Sequence, residues 1–420
     1  MSLRHPHTLI THTRFDVIIK YLYAKSLKDG INTTFYKDMY KEHLRLWNGF
    51  KEYNNPSKNT FEAFDKEFKS IIKSLSTKGF DSKISKIPIQ DGKYPLNGAH
   101  RLSAALSLNK SVVTVEGRNG VDGMLDCGYK FFRELGLEQK YCDRVAIEYS
   151  LLKPNTHMVF VFPAANGNQE SVINTLSKYG NIFYSKNVSL NETGSFNLMR
   201  ELYLDEPWAG NYQSNFNGYR HKQRLCYPNY NNTRVFLVEF DNLDIATKAK
   251  ESIRETYKIG KHSTHINDTH EETVRLAKLM FNKNSIHHLN NAKTVNYLSF
   301  TKCMEDFKRI INNEGLDIGN YCVGGSSPLS AYGLREGNDL DYLHSTPEEI
   351  KDERDLIHSH NQYGIGRYHI ERDEIIHNPH NHFYHRGIKF ATLDVVKKLK
   401  EKRGEDKDIR DIKLIAGIKK

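Results

Sequence analysis

The sequence predicts a multidomain protein of the α/β and α+β classes. Its 420 residues exceed what one hydrophobic core usually organises, so two or three domains are expected. Apolar runs of strand length alternate with segments whose apolar residues recur at helical spacing. The pattern changes at Pro154, where the apolar run "MVFVF" follows as a buried strand. We therefore expect domains at 1–150, 151–288 and 289–420.

The composition describes a polar chain that can still fold. Hydrophobic residues make up 38% and aromatic residues 11% of the chain, which provides apolar area for several cores. The formal charge of +10 suits a polyanionic partner such as a nucleotide, a nucleic acid or a phosphorylated glycan precursor. A lysine-rich solvated surface is the alternative, because 61 basic residues are spread among 51 acidic ones.

Cysteine usage and the first residues indicate a compartment. The five cysteines are widely spaced and form no CxxC pair, which predicts free thiols in a reducing environment. The start "MSLRHPHTLITHTRF" lacks the apolar stretch of a signal peptide, and no run approaches the roughly 18 apolar residues of a membrane span. A cytoplasmic protein with no membrane span is expected.

The N-terminal region begins with helices and continues into a strand, turn, helix, strand unit. Residues 16–75 show helical periodicity, "KIPIQDG" reads as a strand, "PLNGAHRLSAALSLNK" as a turn and helix, and "SVVTVEG" as a second strand. The segment "DGKYPLNGAHRLSAAL" resembles the ParB/sulfiredoxin-like motif, which implies that His100 and Arg101 bind phosphate or nucleotide at a helix start. An ordinary helix turn with a surface charge is the alternative.

The middle region predicts alternating strands and helices. Strands are expected at 158–162, 180–189 and 234–240, and helices at 168–178, 192–204, 244–256 and 270–282. "SIRETYKIGKHSTHINDTHEETVRLAKLMF" resembles the active-site stretch of nucleoside diphosphate kinases, with "VFVFPAANGNQESVINTLSKYGNIFYSKNVSL" and "LYLDEPWAG" in agreement. The resemblance implies a ferredoxin-type domain.

That kinase resemblance also implies roles for individual residues. His265 matches the catalytic histidine, while Arg254, Asp268 and Phe281 match its neighbours. The family's first-strand lysine is Phe162 here, and its orienting carboxylate is Leu276. Nucleotide or phosphate binding without a phosphohistidine is therefore favoured over intact kinase activity, and a structural role for His265 stays open.

The C-terminal region carries the pattern that phosphoryl chemistry requires. A strand ends in Gly324-Gly325-Ser326, a helix follows, and Asp339 and Asp341 lie two apart on a second strand. Residues i and i+2 of a strand point the same way, so both carboxylates can share a divalent metal. Glycines allow the backbone to approach a triphosphate, and Ser326 can donate to a phosphate oxygen.

This segment, "GGSSPLSAYGLREGNDLDYL", resembles the minimal nucleotidyltransferase superfamily. The later "IKFATLDVVKKLKEKRGEDKDIRDI" resembles the basic helices that follow in bacterial members. The resemblance implies Asp339 and Asp341 as catalytic metal ligands and a third carboxylate, for which Asp373 or Glu374 is the candidate. It implies nucleotide or phosphate binding by a wider set: Gly324, Gly325, Ser326, Arg335, Lys397, Arg403 and Lys407. A glycine turn with a helix-capping aspartate is the alternative.

The histidines between His358 and His385 are expected at surface or substrate contacts rather than at zinc.

Three phosphate-handling segments together predict a transferase of phosphorus-containing groups. The cofactor would be Mg²⁺ or Mn²⁺, and a nucleoside triphosphate would transfer a phosphoryl or nucleotidyl group to a small hydroxyl or phosphate acceptor. A likeness to bacterial capsule and lipopolysaccharide proteins suggests a surface-polysaccharide precursor as that acceptor. The alternatives are a toxin-type or RNA-modifying nucleotidyltransferase, for which the basic run "KKLKEKR" is the support, and a non-catalytic nucleotide-binding scaffold. The oligomeric state stays open.

Overall fold

The computed structural model describes residues 1–52, 55–117, 126–167, 169–204, 206–230, 232–350, 352 and 354–418. The chain divides into two compact units, Met1–Pro154 and Asn155–Lys420. The described residues contain helices throughout and three sheets with mixed or antiparallel pairing. The prediction of an α/β multidomain protein is confirmed at this level.

The first unit combines helices with a four-stranded sheet of order β1-β4-β2-β3. Its strands are β1 (Ser2–Arg4), β2 (Ile87–Gln90), β3 (Tyr94–Pro95) and β4 (Val112–Glu116). Its helices are α1 (Phe15–Lys28), α2 (Phe35–Asn48), α3 (Phe61–Lys78), α4 (Ala99–Ser107), α5 (Tyr129–Glu134) and α6 (Gln139–Leu152). Helix α1 is buried along most of its length, so charged side chains within it lie in the interior of the unit.

The turn that precedes α4 is built for a left-handed backbone. Asp91 and Gly92, which join β2 to β3, both have positive φ, at 52° and 63°. Gly98 at the start of α4 has φ of +83°, and an added Cβ would lie 2.7 Å from Ile87 Cδ1. Glycine is therefore required at this position, and the close approach lets α4 begin directly beside the sheet.

The second unit begins with an antiparallel four-stranded sheet of order β6-β7-β5-β8. Its strands are β5 (Thr156–Val161), β6 (Gly180–Val188), β7 (Thr233–Phe240) and β8 (Thr264–Ile266). Its helices are α7 (Gln169–Tyr179), α8 (Glu192–Leu202), α9 (Asn217–Cys226), α10 (Leu243–Tyr257), α11 (His270–Met280) and α12 (Lys283–Asn291). Helices α7 and α10 pack on one face of the sheet around Val159, Leu176 and Phe236.

The helix predicted at 270–282 is α11 in the structure, and a further helix that was not predicted, α12, follows it. Helix α11 ends at Met280, and Asn282 caps α12 by accepting a hydrogen bond from the Ser285 amide at 2.9 Å. The side-chain Nδ2 of Asn282 also donates to the carbonyls of Pro379 and His382, each at 3.3 Å. A capping asparagine interrupts the helical pattern because its side chain satisfies the backbone groups of the next helix.

The remainder of the second unit forms a mixed five-stranded sheet of order β11-β10-β9-β13-β12. Its strands are β9 (Tyr321–Val323), β10 (Leu340–His344), β11 (Ile357–Ser359), β12 (His382–His385) and β13 (Ile388–Ala391). Its helices are α13 (Leu298–Asn313), α14 (Ser327–Ala331), α15 (Gly364–Tyr368), α16 (Arg372–His377), α17 (Leu393–Arg403) and α18 (Asp406–Ala416). Phe307, Val323, Tyr342, Phe383 and Phe390 belong to its fully buried core.

Two observations bear on the expectations about environment. The five cysteines are buried and free of disulfides. Within the described ranges, no helix has both the length and the apolar character that crossing a bilayer demands.

Candidate active site

The turn after β9 brings the backbone unusually close to a carboxylate. The amide of Gly324 donates to the carbonyl of Asp341 at 2.8 Å. Gly325 has φ of +57°, and a Cβ added to it would lie 1.9 Å from Asp341 Oδ2. Any side chain at this position would collide with that carboxylate, so the glycine and Asp341 form one structural unit.

Asp339, Asp341 and His358 lie close enough for one ion to contact all three. One potential ligand atom from each lies within 4.8 Å of the others. Asp341 and His358 are direct neighbours across the parallel pairing of β10 with β11, while Asp339 is exposed and precedes β10 by one residue. Carboxylate oxygens suit Mg²⁺ or Mn²⁺, and an imidazole suits softer divalent ions. The donor set is compatible with a divalent cation but does not by itself identify one.

A chain of hydrogen bonds through Tyr368 and His360 holds the Asp341 carboxylate in place. The Gly325 amide donates to Tyr368 Oη at 3.3 Å, and Tyr368 Oη lies 2.9 Å from His360 Nδ1. His360 Nε2 then lies 3.0 Å from Asp341 Oδ1. One proton arrangement satisfies every contact: the tyrosine hydroxyl donates to Nδ1, and Nε2–H faces the carboxylate. Burial and the nearby Asp341 raise the pKa of Tyr368, so its hydroxyl keeps its proton.

Ser326 lies beneath a group of cations. Arg335 Nη2 donates to Ser326 Oγ at 2.8 Å, and Lys400 Nζ lies 3.4 Å from the same atom. Asp411 holds Arg335 through two contacts of 2.6 and 2.9 Å and holds Lys400 at 2.6 Å. Asp408 in turn contacts Lys400 at 3.3 Å. The carboxylates pre-position both cations beside the Gly-Gly-Ser turn, where a phosphate would require positive charge.

The basic residues predicted in the two C-terminal helices lie in different places. Arg403 joins the group through Asp408, with contacts of 2.7 and 2.6 Å. Lys397 and Lys407 are more exposed, and their ammonium groups pair with Glu401 at 3.5 Å and Glu405 at 2.9 Å. Lys400, which the sequence reasoning missed, is fully buried against Ser326. The available signal was its position four residues after the buried Val396 and directly after the buried Leu399, which places it on the inward face of α17.

The predicted third carboxylate lies outside the ligand group. Asp373 is buried in α16 and its carboxylate contacts Arg372 at 3.0 Å. Glu374 accepts a hydrogen bond from Asn378 at 2.7 Å. Among the described residues, His358 occupies the third position of the ligand group instead. His358 and His360 were expected only as surface or substrate contacts.

Comparison with known proteins does not assign this arrangement to a family. No family model, curated protein or solved structure matches the chain. The resemblances to nucleotidyltransferases, nucleoside diphosphate kinases and ParB/sulfiredoxin proteins stay predictions.

His265 lies on β8 in an apolar setting. Its ring packs against Tyr203 and Phe160, with centroid distances of 5.1 and 6.2 Å. Its Nε2 is buried and has no hydrogen-bond partner among the described residues. Burial, reinforced by Lys250, lowers the pKa of His265 to about 3, so the ring is neutral. Arg254, on α10, pairs with Glu251 at 2.7 Å.

Two positions at which this sequence differs from the nucleoside diphosphate kinase pattern hold buried apolar residues. Phe162 and Leu276 are both fully buried. Asp268 contacts Lys250 at 3.0 Å, and Phe281 packs edge-on against Tyr184. A buried leucine cannot orient an imidazole, because it offers no hydrogen-bond acceptor.

His100 and Arg101 lie at the start of α4 and line a cavity of about 250 Å³ inside the first unit. His100 Nε2 bonds to Tyr40 Oη at 2.8 Å, and burial holds the pKa of His100 well below its usual range. Arg101 is half-buried, and burial lowers its pKa. The same cavity contains the buried pair of Asp16 with Lys20, at 2.9 Å. Arg101 is therefore the one of the two predicted residues that offers a charge to an anion.

Proposed function

We propose that the chain transfers a nucleotidyl group from a nucleoside triphosphate to a small hydroxyl or phosphate acceptor at the Gly324–Asp341 site. The observation that carries this proposal is the contact of Gly325 with Asp341 in a place where Asp339 and His358 are also within reach. A backbone turn, paired carboxylates and cations within one site are the parts that this chemistry uses.

Each group has a role that follows from its position. The acceptor oxygen would attack the α-phosphorus, a hydroxyl acceptor would release its proton to water, and pyrophosphate would leave with the bonding electron pair of the broken P–O bond. Arg335 and Lys400 lie beside Ser326 and would bind the phosphate oxygens. Asp339 and Asp341 would hold the Mg²⁺ or Mn²⁺ ion, which supplies charge neutralisation when bound. His360 and Tyr368 would keep Asp341 oriented.

The sheet topologies support the finer domain assignments without naming a family. The order β6-β7-β5-β8 with antiparallel neighbours suits a ferredoxin-type βαββαβ arrangement. The mixed sheet places the Gly-Gly-Ser turn and Asp341 on neighbouring strands β9 and β10, as a nucleotidyltransferase-type domain requires. The neutral, apolar surroundings of His265 weigh against a phosphohistidine and leave phosphate binding as its proposed role.

The test is to follow the phosphorus products by NMR with Mg²⁺, each nucleoside triphosphate and a pool of sugars and polyols. Pyrophosphate is the expected product. Asp339→Asn and Asp341→Asn should each lower turnover at least about a hundredfold, equivalent to roughly 2.7 kcal/mol in the barrier. Asp244→Asn, an exposed carboxylate on α10, is the matched control and should leave turnover unchanged.

Other outcomes would indicate a different reaction or a different substrate. A nucleoside diphosphate with a new phosphoester would indicate a kinase reaction elsewhere in the chain. RNA or DNA binding that weakens steeply with salt would favour the nucleic-acid-directed alternative. Wild-type turnover in both aspartate variants would refute the assignment of the site.

A further inference from the structure

A second cavity lies within the Asn155–Lys420 unit, away from the two catalytic aspartates. It has a volume of about 160 Å³, and its walls come from α8, α12, α13, α14 and the turn between β12 and β13. A cavity of about 150 Å³ accommodates a benzene-sized molecule. Neither Asp339, Asp341 nor Ser326 lines it, and the proposed transfer makes no use of it.

The walls of this cavity carry more positive than negative charge. Arg200, Arg386 and Lys293 line it, against the single lining carboxylate of Glu201. Arg275 already binds that carboxylate at 2.9 Å. The charge of Glu201 is therefore compensated from outside the cavity, and the guanidinium groups that line it are left without a counter-ion.

Both guanidinium groups lack strong partners. The Arg386 carbonyl accepts a hydrogen bond from Lys308 Nζ at 3.0 Å, but its guanidinium makes no hydrogen bond or ion pair with any residue that the structure describes. Arg200 lies over the Phe216 ring at 4.9 Å and reaches Thr294 Oγ1 only at 3.5 Å. Burial, together with Arg386, lowers the pKa of Arg200. A bound anion would satisfy both groups.

His288 also lines the cavity. The residue is 3% exposed, and its Nε2 donates to the carbonyl of Ala331 at 2.9 Å. Burial lowers the pKa of His288 to about 4, so the ring is neutral. The positive charge of the cavity therefore comes from its arginines and its lysine, not from His288.

The backbone at Arg386 is strained in a way that favours a different residue. Arg386 has φ of 49° and Gly387 φ of 82°, and the two residues form the turn between His385 and Ile388, which pair across β12 and β13. Asparagine, aspartate or glycine is preferred at the first position of such a turn. Strain of this kind concentrates at functional sites, and here it places a guanidinium in the cavity wall.

We infer that this cavity binds a small phosphate monoester of the size of glycerol 3-phosphate. Arg200 and Arg386 bind the phosphate dianion. Phe300 and Met304, which also line the cavity, cover the carbon chain. A neutral polyol would leave both guanidinium groups unpaired, so the phosphate is required.

The test is calorimetric titration of the full chain with glycerol 3-phosphate, inorganic phosphate and glycerol, without metal or nucleotide. We expect glycerol 3-phosphate to bind about tenfold more tightly than inorganic phosphate, because Phe300 and Met304 cover its carbon chain. Glycerol should not bind. No detectable binding of glycerol 3-phosphate at millimolar concentration would overturn the inference.

The Arg386→Asn variant tests whether the arginine binds glycerol 3-phosphate without disturbing the fold. Asparagine suits the left-handed backbone, so the melting temperature should stay the same or rise, while affinity for glycerol 3-phosphate falls at least tenfold. Lys258→Asn is the matched control, since Lys258 is exposed, has φ of 55° and does not line the cavity. Its affinity should equal that of the wild type. Unchanged affinity in Arg386→Asn would refute the inference.

Two further variants test the role of Arg200 and the independence of the cavity from the proposed transfer site. Arg200→Met keeps packing against Phe216 and should also lower affinity at least tenfold. Asp341→Asn should retain full glycerol 3-phosphate binding, because the cavity is independent of the proposed transfer site. Loss of binding in Asp341→Asn would place the phosphate at the transfer site and refute the second site. The inference can thus fail while the transfer reaction stands, and the reverse also holds.

Discussion

Replacing Gly325 with alanine should disable the transfer site by moving one carboxylate. The added methyl carbon would lie 1.9 Å from Asp341 Oδ2, so the carboxylate must retreat by about 1.5 Å to reach an ordinary contact of roughly 3.5 Å. A misplacement of about 1 Å can lower a rate about a hundredfold. We therefore expect kcat/KM for pyrophosphate release to fall at least about a hundredfold, or roughly 2.7 kcal/mol.

A control variant distinguishes the effect of backbone strain from the effect of the collision with Asp341. Gly325 has φ of +57°, and alanine in this conformation costs about 1–2 kcal/mol of stability. Gly315 has φ of +65° with no atom within 4 Å of an added Cβ, so Gly315→Ala carries the same strain without a collision. Both variants should unfold at reduced denaturant concentrations, with Gly325→Ala the less stable because the collision adds to the strain, and only Gly325→Ala should lose activity. Equal activity in the two variants would refute the reasoning.

Two more predictions concern the carboxylate and lysine group behind Ser326. Lys400→Met should destabilise the protein by about 1–3 kcal/mol, because it leaves Asp411 and Asp408 with one cationic partner each, Arg335 and Arg403. Lys397→Met, on the exposed side of α17, should change the free energy of unfolding by no more than about 0.5 kcal/mol in urea titrations, and a similar effect in both would contradict the placement of Lys400. Burial alone would raise the pKa of Asp408, but hydrogen bonds from Arg403 and Lys400 lower it to about 2. This carboxylate therefore stabilises the fold above its unfolded pKa of about 4, and that contribution is lost as pH falls towards 2. The free energy of unfolding should fall more steeply over that interval in the wild type than in Asp408→Asn, and parallel pH profiles would contradict the pKa shift.

Most secondary-structure elements could be predicted because their signals are local. The strand at 234–240 and the helix at 244–256 agree with β7 (Thr233–Phe240) and α10 (Leu243–Tyr257) within one residue, since apolar periodicity and the Asn242 cap act over a few residues. Helix α12 (Lys283–Asn291) was not predicted, and its capping residue Asn282 bonds to the carbonyls of Pro379 and His382, which are about a hundred residues away in the chain. The hairpin of β12 and β13 was missed because its turn holds arginine where asparagine is usual.

The sequence by itself determined the α/β class, the glycine turn after β9 and the two-residue spacing of Asp339 and Asp341, because each is a property of neighbouring residues. Only the tertiary structure shows that His358, rather than Asp373, lies within 4.8 Å of Asp339 and Asp341. It also decided that Lys400, rather than Lys397, reaches Ser326. Those choices depend on which strands pair and which face of α17 is buried, and such long-range contacts are settled only when the core packs.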